Sequence, residues 1–203
     1  PAGTGKSTIA VQCALAAADR GENVAIYAFD EAARTLRLRS AAIGMDLERH
    51  EQSGRVRVFQ VDPAEVPPGQ FASRIREVVE RGGARLVVID SLNGYLHAMP
   101  DESFLVLQLH ELLTFLGQQG VCTLMVVAQH GIMGAGMGTP TDVSYLADTV
   151  LLLRHFEAHG ALCKAVSVLK KRTGLHEASI RELRISGHGV VVGEPLRGFR
   201  GIM

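Results

Sequence analysis

The run Pro1-Ala2-Gly3-Thr4-Gly5-Lys6-Ser7-Thr8 constrains the fold of this chain more than any other stretch. Set against the pattern G-x-x-x-x-G-K-[ST], it fills every position of a phosphate-binding P-loop except the first glycine, which would fall one residue before Pro1. Gly3 and Gly5 let the backbone bend tightly around an anion with no Cβ in the way. Successive N–H groups around Thr4, and the N-terminus of the helix that follows, then point at the β- and γ-phosphates. Lys6 adds a mobile cation, and the Ser7 hydroxyl, with Thr8 behind it, suits a Mg²⁺ ion. The expectation is a nucleoside triphosphatase site. A P-loop normally follows a buried strand, so the first strand is expected to lie outside this sequence, which then reads as an excerpt.

A chain of 203 residues, 47% hydrophobic, has the length and apolar content for one core, and residues 1–203 are expected to form one α/β domain. Twenty-one basic residues balance twenty-one acidic ones, so net charge supplies no attraction for nucleic acid or an anionic membrane. Cys13, Cys122 and Cys163 are far apart and each lies in an apolar run, which reads as core thiols in a reducing cytoplasm. No apolar run approaches eighteen residues, and no signal peptide is visible.

Along the chain, an Ala-rich helix is expected over 6–20, ended by Gly21. The apolar run Val24-Ala25-Ile26-Tyr27-Ala28-Phe29 reads as a parallel strand covered on both faces. It stops at Asp30-Glu31, at the carboxyl end of a strand, where open α/β sheets place their ligands. A helix follows over 32–43 with Leu36 and Ile43 inward and Arg34, Arg37 and Arg39 toward solvent, then a short strand over 56–61. Pro63, Pro67 and Pro68 argue against regular structure there. A helix over 71–81 with Phe71, Ile75, Val78 and Val79 on its apolar face precedes Leu86-Val87-Val88-Ile89-Asp90-Ser91. This apolar strand ending in an acid, well after a P-loop, is the Walker B pattern, its aspartate placed for the Mg²⁺ shell. A long helix over 101–119 and a strand over 123–128 lead to Gln129 and the glycine-dense run 131–138. Strands over 149–153, 163–169, 180–185 and 190–192 follow, giving helix–strand alternation with a β-rich end.

P-loop, Phe29-Asp30-Glu31, Asp90-Ser91, Leu146-Ala147-Asp148-Thr149, Leu169-Lys170-Lys171-Arg172 with His176, and Ile180-Arg181-Glu182-Leu183 together resemble the KaiC ATPases. These belong to the wider RecA-like P-loop proteins, and the resemblance spans essentially the whole chain. It implies a three-layer RecA-like α/β fold with a mostly parallel central sheet and an antiparallel β-rich C-terminal part. It also implies ATP and Mg²⁺ as cofactors, and a regulatory ATPase of the circadian-clock type with signalling protein partners. The acidic pair would orient and activate the attacking water; Glu31 matches its second position, while Asp30 stands where the family has Glu. Which of the two is the base stays open. Gln129 would sense the γ-phosphate. Lys170, Arg172 and His176 would reach the ATP of a neighbouring subunit, which implies a homo-oligomeric ring, a hexamer by resemblance. Ser144 matches a self-phosphorylated serine, Tyr145 departs from its threonine partner, and a plain loop hydroxyl is the alternative.

The spacing of His155 and His159 superficially suits zinc, but it needs a helix where strands are expected, and it is set aside. Two rival functions remain. A RecA-like DNA-recombination ATPase needs cationic or aromatic loops, yet residues 129–153 hold no Lys or Arg. A nucleotide-switched binding module would bind ATP with little turnover.

Overall fold

The computed structural model describes residues 2–96, 102–128, 144–158 and 160–197. The chain divides into two compact units, one formed by residues 7–127 and one by residues 1–6 with 128–203.

The first unit is built on a four-stranded parallel sheet of order β2-β1-β3-β4: β1 (Asn23–Ala28), β2 (Val56–Gln60), β3 (Ala84–Asp90) and β4 (Cys122–Val126). β1 lies between β2 and β3, and its residues from Val24 to Ala28 are all buried, which is why the run lacks polar alternation. Strand period 2 then sorts side chains between two helical layers. Val24 and Ile26 join Ala10, Val11, Ala14 and Ala17 of α1 (Lys6–Asp19) and Leu36 of α2 (Ala33–Ala42) in one cluster. Tyr27 and Phe29 pack on Phe71 of α4 (Pro68–Glu80), with ring centroids 5.2 Å apart in both cases. Helices on both faces of a mainly parallel sheet make the three-layer, RecA-like α/β arrangement expected from the sequence. Small Ala side chains along α1 let this helix lie close on the sheet.

The register pairs Ala28 with Asp90, and the Phe29 amide donates to the Asp90 carbonyl at 2.7 Å. The carboxyl ends of β1 and β3 are thereby level, so Asp30, Glu31 and Asp90 emerge at one edge. The long helix α6 (Glu102–Gln118) buries Leu105, Leu109, Leu112 and Leu116, a stripe at helical spacing.

Some expectations shift. Short helices α3 (Leu47–Gln52) and α5 (Leu92–Leu96) were not foreseen. Pro68 opens α4 instead of excluding it, because a first-turn N–H has no intrahelical partner to lose. Cys13 and Cys122 are exposed and Cys163 half-buried, so none is a core thiol. Apolar neighbours in sequence place a residue in an element, not on its inner face.

In the second unit, a 3₁₀ turn (Ser144–Leu146) precedes an antiparallel meander in the order β5-β6-β7-β8: β5 (Thr149–Ala158), β6 (Ala161–Lys171), β7 (Arg181–Ser186) and β8 (Gly189–Pro195). β5 and β6 extend further than the sequence suggested, meeting at Ala158 and Ala161 across a turn in which Gly160 has φ 72°. His155 therefore lies in a strand. Among the described residues, no helix is long and apolar enough to cross a membrane.

Candidate nucleotide-phosphate site

Gly3 and Gly5 adopt φ of 75° and 96°, the left-handed region that a side chain disfavours. A Cβ on Gly5 would also lie 3.0 Å from the Ile185 Cδ1 atom. Thr4 between them is buried, and Lys6 Nζ donates to its hydroxyl at 3.5 Å, folding the lysine back over the loop. His155 hydrogen-bonds the Gly3 backbone; desolvation, and then the nearby Lys164 charge, hold its pKa below the usual histidine value. Lys6 is the first residue of α1, so the loop feeds directly into a helix N-terminus.

Within residues 7–127, Ser7, Thr8, Glu31, Arg39 and Asp90 form one connected group. Ser7 is hydrogen-bonded to the Asp90 carboxylate. Burial pushes the Asp90 carboxyl above its ordinary pKa; the Ser7 bond and the Arg39 charge oppose this, whereas Glu31 and Asp30 add to it. Glu31 gives both oxygens to Arg39, Oε2 accepting from Nη2 at 2.8 Å and Oε1 from Nε at 3.1 Å. The third guanidinium nitrogen, Nη1, donates to Thr8 Oγ1 at 3.2 Å. Sequence periodicity had put Arg39 in solvent, but its side chain is only 30% exposed and turns into this group. Asp30 behaves differently from Glu31: Ser91 Oγ donates to its Oδ2, and the Gly94 amide donates to Ser91 Oγ at 3.4 Å. The sequence alone marks neither Arg39 nor the Ser91–Asp30 bond as a site feature. No linear motif carries them; they arise from the β1–β3 register and the phase of α2.

A hydroxyl beside a half-buried carboxylate, with two further acids near, is a hard-oxygen environment that suits Mg²⁺. That ion normally keeps several waters and takes one or two protein ligands plus phosphate oxygens. Among the described residues no group of three or more His, Cys, Asp or Glu side chains could itself enclose a metal.

The remaining candidates lie in the second unit. Lys170 Nζ donates to the Ser144 carbonyl at 2.9 Å; Arg172 donates to the Tyr145 carbonyl at 2.5 Å and to Asp148 Oδ1 at 3.2 Å. These two cations thus grip the 144–148 turn. His176 lines a cleft of about 290 Å³ together with Arg154 and Ser167. Gln129 lies outside the described residues.

The family model for the KaiC ATPase matches residues 1–197. The chain belongs to the KaiC ATPase family. Among curated KaiC relatives, the circadian clock protein KaiC3 of Synechocystis sp. is 25% identical over 201 residues, covering 99% of this chain and 40% of its own length. The circadian clock oscillator protein KaiC of Thermostichus vulcanus is 25% identical and that of Synechococcus elongatus 24%, each over 201 residues, with 39% and 38% of their lengths covered. The chain therefore spans about two fifths of the KaiC proteins it matches.

Proposed function

We propose that this chain is an ATP-hydrolysing domain in which the loop 3–8 binds the triphosphate and Glu31 activates water. The observation that carries the proposal is the Ser7–Asp90 hydrogen bond with Glu31 and Asp30 alongside. It supports the reading because the Ser7 hydroxyl bonds the strand-end Asp90 carboxylate with both candidate acids near enough to influence its charge.

On this reading the loop amides and Lys6 bind the β- and γ-phosphates, and Ser7 and Asp90 hold Mg²⁺ with its waters. The ion, when bound, neutralises charge on the phosphate oxygens. Glu31 orients a water in line with the γ-phosphorus and accepts its proton as the new P–O bond forms. The bond from the γ-phosphorus to the β–γ bridging oxygen breaks, and ADP and inorganic phosphate leave. Between the two acids, Glu31 is assigned as the base by likeness to the second position of the KaiC acidic pair. Asp30 accepts from the Ser91 hydroxyl at the end of β3, while Arg39 holds the Glu31 carboxylate in place.

The same reading extends to assembly. By likeness to KaiC, Lys170, Arg172 and His176 serve the nucleotide of a neighbouring subunit in a ring, a hexamer by the same likeness. Gln129 senses the γ-phosphate, and Ser144, under the Lys170 ammonium, is the candidate for self-phosphorylation. Signalling proteins are the expected partners, the expected compartment is the cytoplasm, and the whole chain acts as one ATPase domain.

Incubating the full-length protein with γ-labelled ATP and Mg²⁺ tests this. Label released as phosphate, lost in Lys6→Ala, is the expected result. Tight ATP binding without release would favour a nucleotide-switched binding module, and label retained on Ser144 would establish the self-kinase.

A further inference from the structure

We propose that Arg39 is the positioning residue of the hydrolytic site, fixing the Glu31 carboxylate and locking its position to the start of α1. The inference rests on the reading of Glu31 as the water-activating acid.

Glu31 needs such a device. It sits in the bend between β1 and α2, and the N-cap of α2 is Ala32, whose side chain makes no cap to fix the entry of the helix. A free glutamate in a bend samples many rotamers, and ordering one costs side-chain entropy. An acid that activates water must be held to within a fraction of an ångström, because small misplacements at a reacting centre cost large factors in rate.

The guanidinium supplies that order through three nitrogens with separate duties. Nε and Nη2 take the two carboxylate oxygens in the planar fork that only arginine offers, which fixes both position and plane. Nη1 bonds Thr8 Oγ1, one residue along α1 from Ser7, which bonds Asp90. A continuous path therefore runs from Asp90 through Ser7 and Thr8 to Arg39 and Glu31. The acid is set relative to the helix that follows the phosphate loop, not merely to its own bend. An ordinary surface ion pair has no such third anchor and contributes little; this one is about 30% exposed on both sides. The Thr8 hydroxyl, one of the phosphate-loop residues, acquires a second use as the anchor of the acid.

The test uses the full-length protein and compares kcat and KM for MgATP across Arg39→Ala, Arg39→Lys, Thr8→Val and Glu31→Gln, with Arg39→Ala also placed in the Glu31→Gln background. Arg39→Ala is expected to lower kcat by about 10- to 100-fold with KM changed less than about threefold, since the lost interaction is with the acid and not the nucleotide. Arg39→Lys restores the charge but not the fork, so it recovers less than about a tenth of the parent rate. Thr8→Val costs about threefold, and added guanidinium ion partly rescues Arg39→Ala. In the Glu31→Gln background, removing Arg39 has no further effect on kcat, because there is no carboxylate left to place. Arg39→Gln, with a thermal melt and a MgATP-binding measurement, shows that the fold survives loss of the charge.

Parent-like kcat in Arg39→Ala would overturn the proposal while leaving Glu31 as the base. So would an equal fold-loss with and without the Glu31 carboxylate, since that marks a purely structural role. Parent-like turnover in Glu31→Gln would overturn the Glu31 assignment itself and this proposal with it.

Discussion

At Gly94 there is no room for a side chain. A Cβ there would lie 2.5 Å from the Phe29 Cβ and 3.0 Å from Asp30 Oδ1. Gly94→Ala must push the end of β1 away from α5. A loss of about 1–3 kcal/mol is expected, the usual cost of overpacking a fitted site, and a lowered Tm by calorimetry checks it. Lys6 provides a charge in place of a fit: removing one charge-assisted contact to phosphate costs about 1.5–3 kcal/mol, so Lys6→Ala should weaken ATP binding roughly 10- to 100-fold by titration calorimetry. Lys6, Ser7 and Asp90 were legible in the sequence because each is fixed by a short motif whose spacing mirrors its chemistry. Arg39 was not. Arg34, Arg37 and Arg39 all mark the polar face of α2, and in the structure Arg37 spends its fork on Glu51 of α3, at 2.6 and 2.8 Å, while Arg39 turns to Glu31. Two residues apart on a helix is more than half a turn, and only the helix's setting on the sheet decides which of them meets the acid.

Elements were legible in proportion to their burial. β1 and β3 are packed on both faces, so their apolar runs marked them with little ambiguity. α3 and α5 are too short to show a period. α3 depends on Asp46, whose carboxylate accepts the Arg49 amide at 3.0 Å, and α5 on its packing beside Phe29. The element that most deserved its place in the core is α4, because Phe71 makes ring contacts with Tyr27, Phe29 and Tyr95 within about one 5.2 Å spacing. Phe71→Ala removes the centre of that aromatic group, and about 3–5 kcal/mol of stability should go with it. Chemical denaturation should show a lower midpoint with an unchanged m-value. The sheet then keeps its register at Ala28 and Asp90 with one helical layer loosened.

For the whole molecule, the proposed ring makes a separate prediction. Native mass of the full-length protein with MgATP should correspond to six copies, and Arg172→Ala should both shift it toward smaller species and lower turnover, since the same cation would act on a neighbour's nucleotide. An unchanged assembly with unchanged turnover would leave Arg172 only its bonds to Tyr145 and Asp148. The antiparallel strands of that unit were foreseen, whereas the grip of Lys170 and Arg172 on the 144–148 turn was not. Its acceptors are largely backbone carbonyls, which carry no sequence signature. The central claim, that this chain hydrolyses ATP with Glu31 as the group that activates water, is tested most directly by phosphate release from Glu31→Gln in the full-length protein. The account predicts MgATP binding within about threefold of the parent and turnover reduced by about 10²–10⁴-fold, the usual contribution of a positioned general base. Phosphate release at the parent rate would contradict it.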